Sequence, residues 1–130
     1  LPQTALADSK DYLGKYKVTY YWVAQEADYP GEKTERVFDM QGQSLGKFSK
    51  RFARALKLEG SAMTADNRLL NVCGRINGSV RFKVVKAPYG LGSRNNPLVP
   101  FRSIATDPKV IPYGTILFIA KAAAEVTLAP

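Results

Sequence analysis

Glycine and proline punctuate this sequence so closely that most segments between them are too short for a helix of several turns. Pro30-Gly31, Gln41-Gly42, Glu59-Gly60, Gly74, Asn77-Gly78-Ser79, the stretch from Gly90 to Pro97, Pro108 and Pro112-Tyr113-Gly114 cut the 130 residues into short pieces. Each pair or cluster is a turn or loop signal with a stated backbone preference. A chain divided this way folds as short strands joined by turns, because a strand completes its hydrogen bonds with a neighbour and needs little length of its own.

The segments carry the matching patterns. Residues 16–23 give the clearest strand: Tyr16, Val18, Tyr20 and Trp22 alternate with Lys17, Thr19, Tyr21 and Val23, and β-branched and aromatic types dominate. Shorter strands are predicted over residues 34–40, 69–72, 81–86, 99–106 and 115–120, with a loop over 87–97. One segment has the helical period. In residues 44–58, Phe48, Phe52, Ala55 and Leu56 fall at i, i+4, i+7 and i+8, and Lys47, Lys50, Arg51, Arg54 and Lys57 lie mostly off that stripe. Glu59-Gly60 closes it. The expected class is mainly β, a small barrel with one helical insertion. Residues 1–15 read as a loosely held arm and 16–130 as one domain. Within the arm, Ala5-Leu6-Ala7 before Asp8 fits the cleavage pattern of a secretory signal peptide, and fits an Ala-rich linker as well.

Composition narrows the chemistry. Apolar residues make up 45% and charged residues 23%, ordinary for a globular chain, and no apolar run reaches the roughly 20 residues that span a bilayer. Nineteen Lys and Arg against eleven Asp and Glu leave +8, which attracts polyanions: nucleic acid, acidic lipid or anionic wall polymer. There is no histidine, so the commonest general base and zinc ligand is missing and catalysis would run on carboxylates, Lys, Tyr or Ser. Cys73 is the only cysteine, which excludes an internal disulfide and a cysteine metal cluster. It reads as a small buried apolar residue. No metal or cofactor is expected.

Residues 101–119 carry the most specific pattern. An apolar run leads into Ala105-Thr106-Asp107-Pro108, then Val110-Ile111-Pro112-Tyr113-Gly114-Thr115, then Ile116-Leu117-Phe118-Ile119. Taken alone, Asp107 before Pro108 is a turn-initiating pair whose carboxylate caps its own backbone. Taken together, the segment closely resembles the opening of the 3D domain, named for three aspartates, found in membrane-bound type A lytic murein transglycosylases and in related spore and stationary-phase wall enzymes. Two further blocks resemble the same family. Residues 18–21, Val-Thr-Tyr-Tyr, match a Thr-x-Tyr-like element on the first barrel strand, with Thr19 at the threonine. Leu58-Glu59-Gly60-Ser61 through Leu69-Leu70-Asn71-Val72-Cys73-Gly74 resembles a Leu-Glu-Gly to Leu-Asn block, with Ala62 and Asn67 standing where glycines are usual.

The resemblance implies a six-stranded double-psi β-barrel and a peptidoglycan-cleaving lytic transglycosylase, exported to the periplasm or cell exterior. In that reaction one carboxylic acid protonates the leaving oxygen of the MurNAc–GlcNAc bond. The carboxylate so formed then takes the proton of the muramoyl 6-hydroxyl, which closes a 1,6-anhydro ring without water. Neighbouring aspartates hold the acid protonated near neutrality. Asp107 matches the first of the three aspartates. The other two, the acid/base among them, have no counterpart up to Pro130, and the expectation is a domain truncated at its C-terminal end. An open sheet edge would then invite strand exchange or a complementing partner. Thr19 and Glu59 join Asp107 as candidate catalytic-site residues. Tyr21 is a candidate for stacking on sugar rings, and Arg94 and Asn95 for hydrogen bonds to glycan hydroxyls and stem-peptide carboxylates.

Two other readings compete with this one. A glycan-binding barrel or inactive fragment keeps the fold and drops the catalysis. Nucleic-acid binding rests on +8 and the basic residues of the predicted helix, but no nucleic-acid motif accompanies them and a solvated helix face accounts for them. No nucleic-acid partner is expected.

Overall fold

The computed structural model describes residues 12–120. The chain divides into two compact units, one of Leu1–Tyr20 with Thr106–Pro130 and one of Tyr21–Ala105. Among the described residues all six strands and the one α-helix belong to the second unit, and the class is mainly β.

Its strands form two sheets. The larger has the order β1-β4-β5-β6, from β1 (Ala24–Gln25), β4 (Ser61–Met63), β5 (Leu69–Ile76) and β6 (Ser79–Val85). β1 runs parallel to β4, Ala24 beside Ala62, and the other pairs are antiparallel. The smaller is the antiparallel hairpin of β2 (Lys33–Phe38) and β3 (Ser44–Ser49). That hairpin and helix α1 (Lys50–Glu59) together make the crossover between the two parallel strands.

Turn chemistry sets the registers. Asn77 (φ 49°) and Gly78 (φ 81°) both take the left-handed conformation that a two-residue hairpin loop requires, which fixes Ile76 opposite Ser79. In the β2–β3 turn, Asp39 Oδ1 accepts the N–H groups of Gln41 and Gln43, each at 2.9 Å. Arg81 of β6 donates to Asp39 O at 3.0 Å and lies 5.6 Å over the Phe38 ring, joining the hairpin to the larger sheet.

The core sits between the helix and the strands. Phe52, Ala55 and Leu56 of α1 pack with Ala24, Val37, Phe48, Ala62, Leu70 and Phe82. The Phe48 and Phe52 rings are 5.1 Å apart and tilted by 51°, a favourable aromatic geometry. Ser49 caps the helix by accepting the Phe52 N–H at 3.1 Å, and Gly60 ends it in the left-handed region at φ 84°, giving its N–H to Leu56 O at 2.8 Å.

Several local expectations are corrected. Residues 16–23 form no strand; β1 begins only at Ala24, and Tyr16, Val18, Tyr20 and Trp22 are exposed. Their alternation fits a half-buried pleated surface, and among the described residues no strand is laid alongside to complete one. Residues 99–106 and 115–120 likewise form no strand. The predicted helix over 44–58 is a strand up to Ser49 and a helix from Lys50, because Gly46 sits at φ 134° and Ser49 supplies the N-cap. Cys73 is half-buried rather than buried. Most of the arm, residues 1–11, lies outside the described residues.

Candidate functional site

Asp107 stands in the first unit, in a pair of successive tight turns. Its main-chain carbonyl accepts the N–H groups of Val110 and Ile111 at 2.9 Å each, and its Oδ1 accepts the Lys109 N–H at 2.9 Å. Thr106 Oγ1 donates to Ile111 O at 3.1 Å across the same turn. The second turn is closed by Thr115, whose N–H and hydroxyl both reach Pro112 O, at 3.2 and 2.6 Å, with Gly114 at φ 86°. The Asp-Pro and Pro-x-Gly signals thus produce the turns they predict, and they leave the Asp107 side chain exposed. Thr19, in the same unit, is exposed and lies on irregular chain rather than on a barrel strand.

The other candidates lie in the second unit. Glu59 is the last residue of α1 and is half-buried. Arg94 and Asn95 are exposed at the tip of a closed loop, in which Leu91 bridges Pro97 and Gly92 N–H bonds to Asn96 O at 2.8 Å. Both residues have left-handed backbone, φ 59° and 58°, a strained state for non-glycine residues that bends the loop sharply enough to close. Asn95 Oδ1 accepts Lys83 Nζ at 3.3 Å, which ties the tip to β6.

Tyr21 is placed differently from a sugar-stacking platform on a strand. The residue is 45% exposed, but its hydroxyl turns inward to hydrogen-bond Ser61 Oγ and the Tyr89 carbonyl, the latter at 3.2 Å. This places it in a buried polar cluster with Ser61 and Asn71. Asn71 Oδ1 accepts the Leu91 N–H at 2.9 Å, and its Nδ2 donates to Val72 O at 3.0 Å. Gly90 closes over the cluster at φ 88°, where a Cβ would come within 2.8 Å of Asn71 Oδ1. Only glycine admits that approach. The cluster fastens the loop of residues 87–98 to the sheet. No local pattern marks Ser61 for this task, and the one signal for Asn71 is its place as a polar residue inside the apolar run Leu69-Leu70-Asn71-Val72. Among the described residues, every buried side-chain nitrogen or oxygen has a hydrogen-bond partner.

The concave surface lies elsewhere. A shallow hollow of about 200 Å³ is lined by residues such as Glu26, Tyr29, Lys33 and Ala65, and a neighbouring one by Glu32, Thr34, Lys50 and Arg51. None of the sequence-selected candidates lines either. Ligand clefts that enclose a small molecule start near 300 Å³, and both hollows fall short of that. No group of His, Cys, Asp and Glu suited to a metal ion occurs among the described residues. Asp66, beside the first hollow, accepts a hydrogen bond from Thr64 Oγ1 and two 3.0 Å contacts from Arg68 Nε, which hold its carboxyl below the usual range. Arg68 also donates to Leu45 O at 2.7 Å, so this is a structural knot between sheet and hairpin.

No family model matches this chain, and neither a curated protein nor a solved structure does.

Proposed function

We propose that this chain is a peptidoglycan-directed domain of the 3D type, acting in non-hydrolytic cleavage of the MurNAc–GlcNAc bond during cell-wall remodelling, outside the cytoplasm. The observation that carries the reading is the segment around Asp107. It has the Ala-Thr-Asp-Pro and Ile-Pro-x-Gly-Thr pattern of the resemblance, and its paired turns hold one exposed carboxylate in a defined place. Two local features support it. Asn67, standing where the family has glycine, takes the left-handed conformation (φ 63°) that a glycine would supply there, and Gly60 ends the helix after Leu58-Glu59. Among the described residues six strands, one helix and a parallel pair joined by a long crossover support the mainly β part of this reading. In this reading Asp107 orients and tunes the acid/base carboxylate, Thr19 and Glu59 are the other catalytic residues that the resemblance implies, and Tyr21, Arg94 and Asn95 offer contacts to glycan.

A second reading, glycan binding without cleavage, is favoured by the use Asp107 makes of its own carboxylate: Oδ1 already closes the local turn. One experiment separates the two. Purified sacculi are incubated with the protein in its natural full length and the products analysed by mass spectrometry. Anhydromuropeptides that fall at least tenfold with Asp107→Asn are expected. Folded protein that releases none would leave only binding, and unchanged release by Asp107→Asn would remove that residue from the site.

A further inference from the structure

Helix α1 presents an exposed face whose charges oppose the helix itself. Lys50 and Arg51 occupy a first turn that holds no acidic residue, so two cations stand at the positive end of the helix dipole, where carboxylates are favoured. Lys50, Arg54 and Lys57 follow at spacings of four and three residues, within about 60° of one another around the axis, and Arg51 is three residues from Arg54. Like charges at these spacings repel along a helix surface. All four are exposed, and among the described residues the ion pairs are Lys33–Glu26 and Arg68–Asp66, which use none of them. The same face carries Leu58, 80% exposed, which falls between Arg54 and Arg51 in angle. Val72, 41% exposed, is joined to the turn that ends the helix through its N–H to Gly60 O at 2.7 Å.

Repelling cations around a bare aliphatic side chain suit a surface that offers anions in a plane with apolar material just beneath. We propose that the exposed face of α1 docks this protein peripherally on a bilayer containing anionic phospholipid. Lys50, Arg51, Arg54 and Lys57 meet the headgroup phosphates, and Leu58 enters the boundary between headgroups and acyl chains. The opposite face, Phe52, Ala55 and Leu56, stays in the core, so the helix lies in the membrane plane. Among the described residues no helix is long and apolar enough to cross a membrane. The net charge of +8 adds long-range attraction to the same surface. A nucleic-acid strand would also neutralise the cations, but it gives Leu58 no apolar surroundings. Lipid docking by α1 does not depend on the glycan reading.

Co-sedimentation of the whole chain with vesicles tests it, using phosphatidylcholine alone and phosphatidylcholine mixed with phosphatidylglycerol, each at low and at raised salt. Binding to the anionic vesicles alone, weakening with salt, is expected. Lys50→Gln/Arg54→Gln/Lys57→Gln should bind about a hundredfold more weakly, at roughly fivefold per cation. Leu58→Ser should weaken binding and leave its salt dependence unchanged. Arg54→Lys should bind as the parent does, and the triple variant should melt no lower than the parent, since it removes repulsion. Binding to neutral vesicles as strong as to anionic ones would overturn the proposal, as would no binding to anionic vesicles, or a triple variant that binds like the parent. Tighter binding to a single-stranded oligonucleotide than to anionic vesicles, with Leu58→Ser silent in both, would reassign the face to nucleic acid.

Discussion

Asp66 shows how little burial a carboxylate needs in order to be tied to the fold. Its side chain is 64% exposed, yet Thr64 and Arg68 both donate to it, and Thr64 Oγ1 in turn accepts the Arg68 N–H at 2.9 Å. Both donors favour the ionised form, so the folded carboxyl titrates below its unfolded value. Its contribution to stability is therefore fully present above the ordinary carboxylate range near pH 4 and is lost as pH falls through the lower folded value. Melting temperature followed from roughly pH 6 to pH 2 should fall more steeply for the parent than for Asp66→Asn, with the curves converging at the acid end. Parallel curves would show that the knot does not depend on ionisation. The residue scale is also where the sequence was most informative about turns and least informative about partners. Asp107 capping its own turn, and Asn77-Gly78 as a hairpin loop, follow from two or three adjacent side chains. The bond between Tyr21 and Ser61 joins residues forty positions apart, and no local pattern announces it.

Helix α1 was legible because its apolar stripe is periodic, and its start was misplaced for the same reason: Phe48 fits the stripe although it belongs to β3. Gly46 and Ser49 held the correcting information, a backbone suited only to glycine and a side chain suited to an N-cap. Ser49 does two things at once. Its Oγ accepts the Phe52 N–H and donates to Tyr29 O at 2.7 Å, in a setting only 5% exposed. Ser49→Ala removes the cap and leaves the Tyr29 carbonyl short of a partner, at a combined cost of about 1–3 kcal/mol. Urea unfolding measures it directly: a lower midpoint with an unchanged slope is expected, and an unmoved midpoint would mean that neither bond matters. Strands were harder to read than the helix. Residues 16–23 have the composition of a strand, but a strand is completed by a neighbour, and the neighbours of β5, namely β4 and β6, cannot be identified from its own eight residues.

The expected barrel and the observed pair of sheets both hold six strands and a helix, and among the described residues all of these lie within Tyr21–Ala105. Every residue of the core cluster, from Ala24 to Phe82, falls inside that one contiguous stretch. So do the crossover that builds the parallel β1–β4 pair, the polar cluster under Gly90 and the basic face of α1. Cooperative folding depends on a shared core and not on chain length, so a polypeptide of residues 21–105 should fold by itself. Its thermal unfolding is expected to be a single transition within roughly 8 °C of the whole chain, the displacement that about 1 kcal/mol produces in a domain of this size. Asp107 and Thr19 belong to the other unit, so under the proposed function the piece should release no anhydromuropeptides, while keeping the lipid binding proposed for α1. A broad, non-cooperative melt would show that the core needs residues outside this stretch. A sharp melt without lipid binding would move the docking surface off α1.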